Sequence, residues 1–311
     1  MNPGSRLNSA GTISIHDRLE KWRQLLDCCE GKPTRKRVHA LRVVTLRLQA
    51  ELTIDLADLP SASHQAQAIL EFIRQGEKLR KVLGPVRELD VWIGKLQGLR
   101  ATLTQSGDYV PRSTRDSVRH LERFESRLKE KRRPLEKRLT GAIKKRKDDF
   151  ARELEGVSAA VHGRAGDHEI TSSTIRDRFF EIAKDFPAFN EENLHEFRKR
   201  IKMVRYLAEM HESDSKCAQI AAQVRKLQSA IGEWHDWQAL AREVRHGRSK
   251  SADAGELLET VAAESLESAL ATCRQITDKL ISERAAPPAP GRKSPAGVDH
   301  SARETSSRKV A

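Results

Sequence analysis

The 311-residue chain carries 57 Lys and Arg against 44 Asp and Glu, a formal net charge of +13, with 38% hydrophobic and 32% charged residues. A sequence pI near 9.8, with a mean hydropathy of −0.63, favours anionic partners: nucleic acid, anionic lipid or a phosphate polymer. No apolar run approaches the ~18–20 residues of a membrane span, and Cys28, Cys29, Cys217 and Cys273 show no metal-ligand spacing.

Residues 1–12 are small and polar and read as a flexible arm, without the charged and apolar regions of a signal peptide. These features predict a soluble protein of the reducing cytoplasm. From residue 13, Ile15, Leu19, Trp22, Leu25 and Leu26 keep helical spacing, which ends near Gly31 and Pro33. A second helix is predicted over 34–56 and a third over 63–83, with Gly84-Pro85 expected to break or kink it. Helical spacing resumes over 86–103, and 107–111 reads as a turn.

Residues 112–147 hold fifteen Lys and Arg against five Asp and Glu, yet Leu121, Phe124, Leu128, Leu135 and Leu139 keep an apolar stripe. They read as one amphipathic helix, with a kink or corner expected at Pro134. Residues 163–167 read as a linker. Helices follow around Phe179-Phe180 and over 194–210, 217–241 and 257–281. From 285 onward, four prolines among Ser, Gly and Arg predict a disordered tail. No strand-like alternation of useful length occurs, so the chain reads as all-α.

Two landmarks recur in order. Val38-His39-Ala40-Leu41-Arg42 matches Leu194-His195-Glu196-Phe197-Arg198, and Leu83-Gly84-Pro85-Val86-Arg87-Glu88-Leu89 matches Ile231-Gly232-Glu233-Trp234-His235-Asp236-Trp237. That order indicates a duplication, with a first helical half over 13–160 and a second over 161–284, and duplicated helical units commonly pack about a pseudo-two-fold axis. At about 100° per residue, Arg198, Lys202 and Arg205 share a strip with His195, and Phe197, Ile201, Val204 and Ala208 lie beside it. The first copy is less basic, with Leu46 and Gln49 where the second has Lys202 and Arg205. Arg35, Lys36 and Arg47 stand nearby as compensation. A basic helix face is commonly only a solvated one, but two such strips brought together repel each other and favour a neutralising polyanion.

These paired segments, with the Gly-containing segments 83–90 and 231–236, resemble the signature helices of CHAD domains (conserved histidine α-helical domains) over about residues 13–284. The resemblance implies two related four-helix-bundle halves about a pseudo-two-fold axis, a basic cleft between them, and binding of inorganic polyphosphate without catalysis or cofactor. The candidate contacts it implies are His39, Arg42, Arg87, His195, Arg198, Lys202 and Arg205, supplemented by Arg35, Lys36 and Arg47 from the charge pattern. Glu88, Asp90 and Asp236 would orient arginines through ion pairs. The Leu46, Gln49 and Met203 positions depart from the family's basic pattern and point to a weaker first-half strip. A destination on polyphosphate granules fits the resemblance and is left open, as is the oligomeric state.

Two other readings stand beside it. A nucleic-acid binder could use the basic 112–147 helix through backbone neutralisation alone. A metal-dependent helical phosphohydrolase could recruit His195, His235-Asp236 and Asp253. No P-loop, GxGxxG or ExExK-like pattern accompanies either.

Overall fold

The computed structural model describes residues 14–57, 59–104, 112–161, 171–246 and 252–285. The arm, the 107–111 turn, the 163–167 linker and the tail beyond 285 lie outside the described residues. Among those described, the fold is all-α, with nine helices: α1 Ile15–Gly31, α2 Arg35–Ala57, α3 His64–Thr104, α4 Arg112–Lys145, α5 Lys147–Val161, α6 Ser172–Lys184, α7 Glu191–Met210, α8 Ser215–His246 and α9 Ala252–Ala285.

Local chemistry sets several of the ends. The Ser14 hydroxyl accepts from the Asp17 N–H and caps α1, which stops before an extended Lys32. At α7, Asn190 and Asn193 form a reciprocal capping box, and Glu191 and Glu192 place negative charge at the positive end of the helix dipole.

Two expectations are corrected here. Gly84-Pro85 does not separate two helices: α3 runs through Pro85 for 41 residues. A helix-interior proline costs about 3 kcal/mol, and burial of Leu79, Leu83, Val86 and Leu89 on both sides offsets it. The basic segment does not run unbroken to 147. It ends at Lys145, and α5 starts at Lys147 with Phe150, Val157, Ala160 and Val161 buried, a helix the sequence reading left out.

The apolar faces gather into three clusters. One joins α1, α2, α3, the end of α4 and α5 around Trp22, Phe72 and Phe150. A second joins α6–α9 around Phe179, Phe186, Phe189 and Phe197. The third is shared: Leu89, Trp92, Leu96, Leu121 and Leu128 from α3 and α4 meet Trp237, Leu240, Val244 and Leu258 from α8 and α9. Fully burying side chains of this kind contributes roughly 1.5–3 kcal/mol each, so the shared cluster welds one half to the other. Lys131 to Glu243 (2.5 Å) and Lys95 to Glu233 add charged ties across the same seam. Among the described residues, no helix is long and apolar enough to cross a membrane.

Candidate functional site

The shared seam sets α2 against α7 and α3 against α8. On α7, Leu194, Phe197, Ile201, Val204 and Ala208 are buried, which leaves Arg198, Lys202 and Arg205 on the flank facing the other half. On α2, burial of Leu41, Val44, Leu48 and Leu52 places Arg42 on the corresponding flank. Arg80 and Arg87 reach the same region from α3.

These six cations form one half-buried cluster. Lys202 is held among Arg198, Arg42, Arg205 and Arg80, and burial, reinforced by those four guanidinium groups, pulls its ammonium down to about 8. Arg42 is lowered by burial and then by Arg80, Arg87 and Arg198, with Tyr206 acting in the opposite sense. Arg87 is lowered by burial and Arg35, against Asp90 and Asp236, and Arg198 by burial and Arg205, against Asp236 and Tyr206. Arg42, Arg87, Arg198 and Lys202 make no ion pair among the described residues. The buried Nε atoms of Arg80, Arg198 and Arg205 have no hydrogen-bond partner. Desolvating like charges side by side is costly unless an anion compensates them.

The remaining sequence candidates separate into groups. His39 lies beside Arg87, Arg35 and Arg42, and burial together with these charges lowers its pKa. His195 is lowered by burial and then by His235, Lys199, Arg198 and Lys202, and its ring stacks on His235 with centroids 5.0 Å apart. Arg35 lays its guanidinium against Gly94 of α3. Arg47 is engaged elsewhere: its Nη2 pairs at 3.0 Å with Glu209, a carboxylate also held by Arg225 at 3.0 Å and Arg205 at 3.5 Å. Lys36 is exposed on α2 with no ion pair among the described residues.

The CHAD domain model matches residues 14–246 of the chain. The chain belongs to the CHAD domain family. Among solved structures, PptA from Streptomyces chartreusis aligns with a TM-score of 0.56 at 12% identity, over 88% of this chain and 97% of that one, a likeness in fold. No curated protein matches the sequence. The match stops before α9, which supplies Ala269, Cys273, Ile276 and Leu280 to the second core cluster.

Two members of the cluster escaped the sequence reading. Arg80 has Gln228 at the matching position of the second half, so the repeat gave no signal for it. Tyr206 is buried beneath the Arg205 guanidinium, 4.7 Å from its ring centroid, and reads in sequence as one more core position. The orienting carboxylates also differ from expectation. Buried Asp90 accepts from Arg132 Nε of α4 at 2.7 Å, and only the more distant field of Asp90 reaches Arg87. Asp236 lies 3.8 Å from His235 Nδ1 while acting on Arg87 and Arg198. Burial raises Glu88, with Asp236 and Glu243 adding to it and His235 opposing. For the hydrolase reading, His195 and His235 lie ring on ring, and the Asp253 side chain lies outside the described residues. Among the described residues, no three His, Cys, Asp or Glu side chains are grouped to hold a metal ion.

Proposed function

We propose that this CHAD domain binds inorganic polyphosphate in the cationic cluster between α2, α3, α7 and α8, as a non-catalytic binding module of the cytoplasm. The observation that carries it is Lys202, half-buried among four arginines drawn from both halves. A linear polyanion supplies the closely spaced negative charge that such a cluster lacks. Arginine forks onto phosphate oxygens while lysine acts as a point charge, so the set suits a ligand whose only features are phosphates.

Aromatic exposure argues against single-stranded nucleic acid in the same place. Trp22, Trp92, Trp234, Trp237 and Tyr206 are all buried in core clusters or beneath side chains, so the cluster offers no stacking platform for bases. The cluster's groups are cations and neutral imidazoles set to bind phosphate, which fits retention of the polymer better than its cleavage. In a cell that stores polyphosphate, such a module would gather on granules.

The test is titration of long-chain polyphosphate at about 150 mM salt, where diffuse attraction is screened, with single- and double-stranded DNA as competitors. Wild type should bind polyphosphate in preference to DNA, and an Arg42→Gln/Arg198→Gln/Lys202→Gln variant that keeps its helical circular dichroism should lose at least tenfold in affinity. Equal displacement by DNA, or full binding by the folded variant, sinks the reading. A fluorescent fusion tests the granule destination in the same way, through recruitment that the triple variant abolishes.

A further inference from the structure

The cluster leaves the outer face of α4 unexplained. Its core side is fixed by buried Leu121, Phe124, Leu128, Leu139 and Ile143. Away from that core side, Arg115, Arg123, Arg133, Lys137, Arg138, Lys144 and Lys145 are exposed and make no ion pair among the described residues, with Lys137 and Lys144 on the rim of a groove shared with α1 and α5. Arg119 is also exposed, with only Asp116 at 3.7 Å. The neighbouring Lys129, Lys131 and Arg132 are spent on Glu125, Glu243 and Asp90. Lys144 and Lys145 would complement the helix dipole at that end, but the dipole gives no reason for Arg115, Arg119 and Arg123 at the positive end.

The spacing along this face is uneven. Arg115, Arg119 and Arg123 form one group at successive turns, and Lys137, Arg138, Lys144 and Lys145 form another. Glu130 and the exposed Pro134 lie between them with Arg133 and the half-buried Arg127, whose guanidinium is held over the Phe124 ring. At 1.5 Å per residue the group centres are about 33 Å apart along the helix. One turn of duplex DNA returns the same backbone to the same side every ~34 Å.

We infer that the outer face of α4 is a second, sequence-independent site for the phosphate backbone of double-stranded nucleic acid, separate from the inter-half cluster. A flexible polyphosphate would gain nothing from a one-turn period. An anionic membrane surface would call for apolar side chains among the cations, and among the described residues the only large hydrophobic one exposed is Leu70 on α3. Single strands would need exposed aromatics among the cations, and the only Phe, Trp or Tyr on α4 is the buried Phe124.

The experiment titrates the full chain with a 24-base-pair duplex over a series of salt concentrations. Three proteins are compared: wild type, Arg115→Gln/Arg119→Gln/Arg123→Gln, and the triple cluster variant of Arg42, Arg198 and Lys202. Each phosphate contact contributes about −0.9 to the slope of log affinity against log salt. The α4 variant should therefore show a slope shallower by roughly 2–3, and an affinity at least tenfold lower, while keeping polyphosphate binding. The cluster variant should bind duplex as wild type does. A duplex of about 8 base pairs, too short at ~3.4 Å per pair to span both groups, should bind far more weakly than the longer one. An unchanged slope in the α4 variant overturns the inference, as does loss of duplex binding in the cluster variant. Equal per-site affinity for the two duplexes, or preferential capture of vesicles containing anionic lipid, does the same. Polyphosphate binding is read separately on the same variants, so failure of this site and failure of the cluster are distinguishable.

Discussion

The Arg198 guanidinium fills the space that a side chain at position 232 would need. A Cβ built on Gly232 would stand 2.8 Å from Arg198 Nη2 and 3.3 Å from Cζ. The glycine of the second-half landmark therefore has a physical purpose: it lets an arginine from α7 lie against α8. Arg35 over Gly94 is a second seat of this kind, on α3.

Gly232→Ala should therefore separate binding from stability. The clash falls on the far end of a flexible side chain, and alanine improves helix propensity by about 1 kcal/mol, so the melting temperature should hold or rise slightly. Polyphosphate affinity should fall several-fold as Arg198 is displaced. A titration beside a thermal melt decides it. A fall in melting temperature with affinity intact would mean that Gly232 serves packing alone.

Lys202→Met should stabilise the free protein and weaken binding. The methionine keeps much of the alkyl stem while removing a charge whose neighbours are all cationic. Replacing a poorly compensated buried charge by an apolar group is commonly neutral or stabilising. A gain of about 1 kcal/mol would show as roughly 2–4 °C in melting temperature, against an affinity loss of about tenfold. Loss of both stability and binding would contradict the electrostatic account.

Polyphosphate affinity should rise as pH falls below 7 and decline above about 8. His39 and His195 have lowered pKa values in the free protein, so at neutral pH they are mostly uncharged, and a bound polyanion favours their protonated forms. Lys202 loses its proton near 8, weakening the site above that pH. The groups facing them are Arg35, Arg42, Arg80, Arg87, Arg198, Lys199, Arg205 and His235, with Asp236 acting on Arg87 and Arg198 and Glu88 beside His235. Of these, Asp236 and Glu88 carry the opposite sign. The stability of the free protein also depends on pH. A lowered lysine pKa makes stability rise with pH between about 8 and 10.5, where the unfolded chain holds more protons. The lowered histidines make it fall as pH drops through about 6.5. Titration calorimetry near pH 8 in buffers of different ionisation enthalpy should report proton uptake on binding, reduced in Lys202→Met. Proton release, or none, would refute the assignment.

The sequence exposed the helices because their apolar periods are strong, and it exposed the two His-x-x-Arg strips because they repeat. What it concealed depends on helix-to-helix packing. Arg80 breaks the repeat, and only the packing of α3 beside α2 and α7 reveals that it faces Arg42 and Lys202. Arg47 sits among basic neighbours in sequence, yet Glu209, 162 residues away, claims it. Asp90 looks like a partner for nearby Arg87, but α4 brings Arg132 to its carboxylate instead. α5 follows so closely on the basic run that composition masked its amphipathic period.

That Asp90–Arg132 pair makes the last prediction. Asp90 is buried on α3, and Arg132 donates to it through Nε at 2.7 Å while also reaching Glu136 at 2.5 Å and the Pro33 carbonyl at 2.8 Å. One guanidinium thus fastens α3, α4 and the segment leading into α2, the helix that carries His39 and Arg42. Its pKa is affected first by burial, which lowers it, but the pairing with Asp90 and Glu136 leaves it raised. Breaking a buried pair from one side typically costs about 3–5 kcal/mol, so Asp90→Ala should unfold at markedly lower denaturant concentration. The Asp90→Leu/Arg132→Met double variant removes both charges and should recover much of that loss, which a double-mutant cycle would measure as coupling. If polyphosphate affinity returns with stability in the double variant, Asp90 acts by holding the scaffold. If stability returns and affinity does not, the field of Asp90 on Arg87 is part of the site itself.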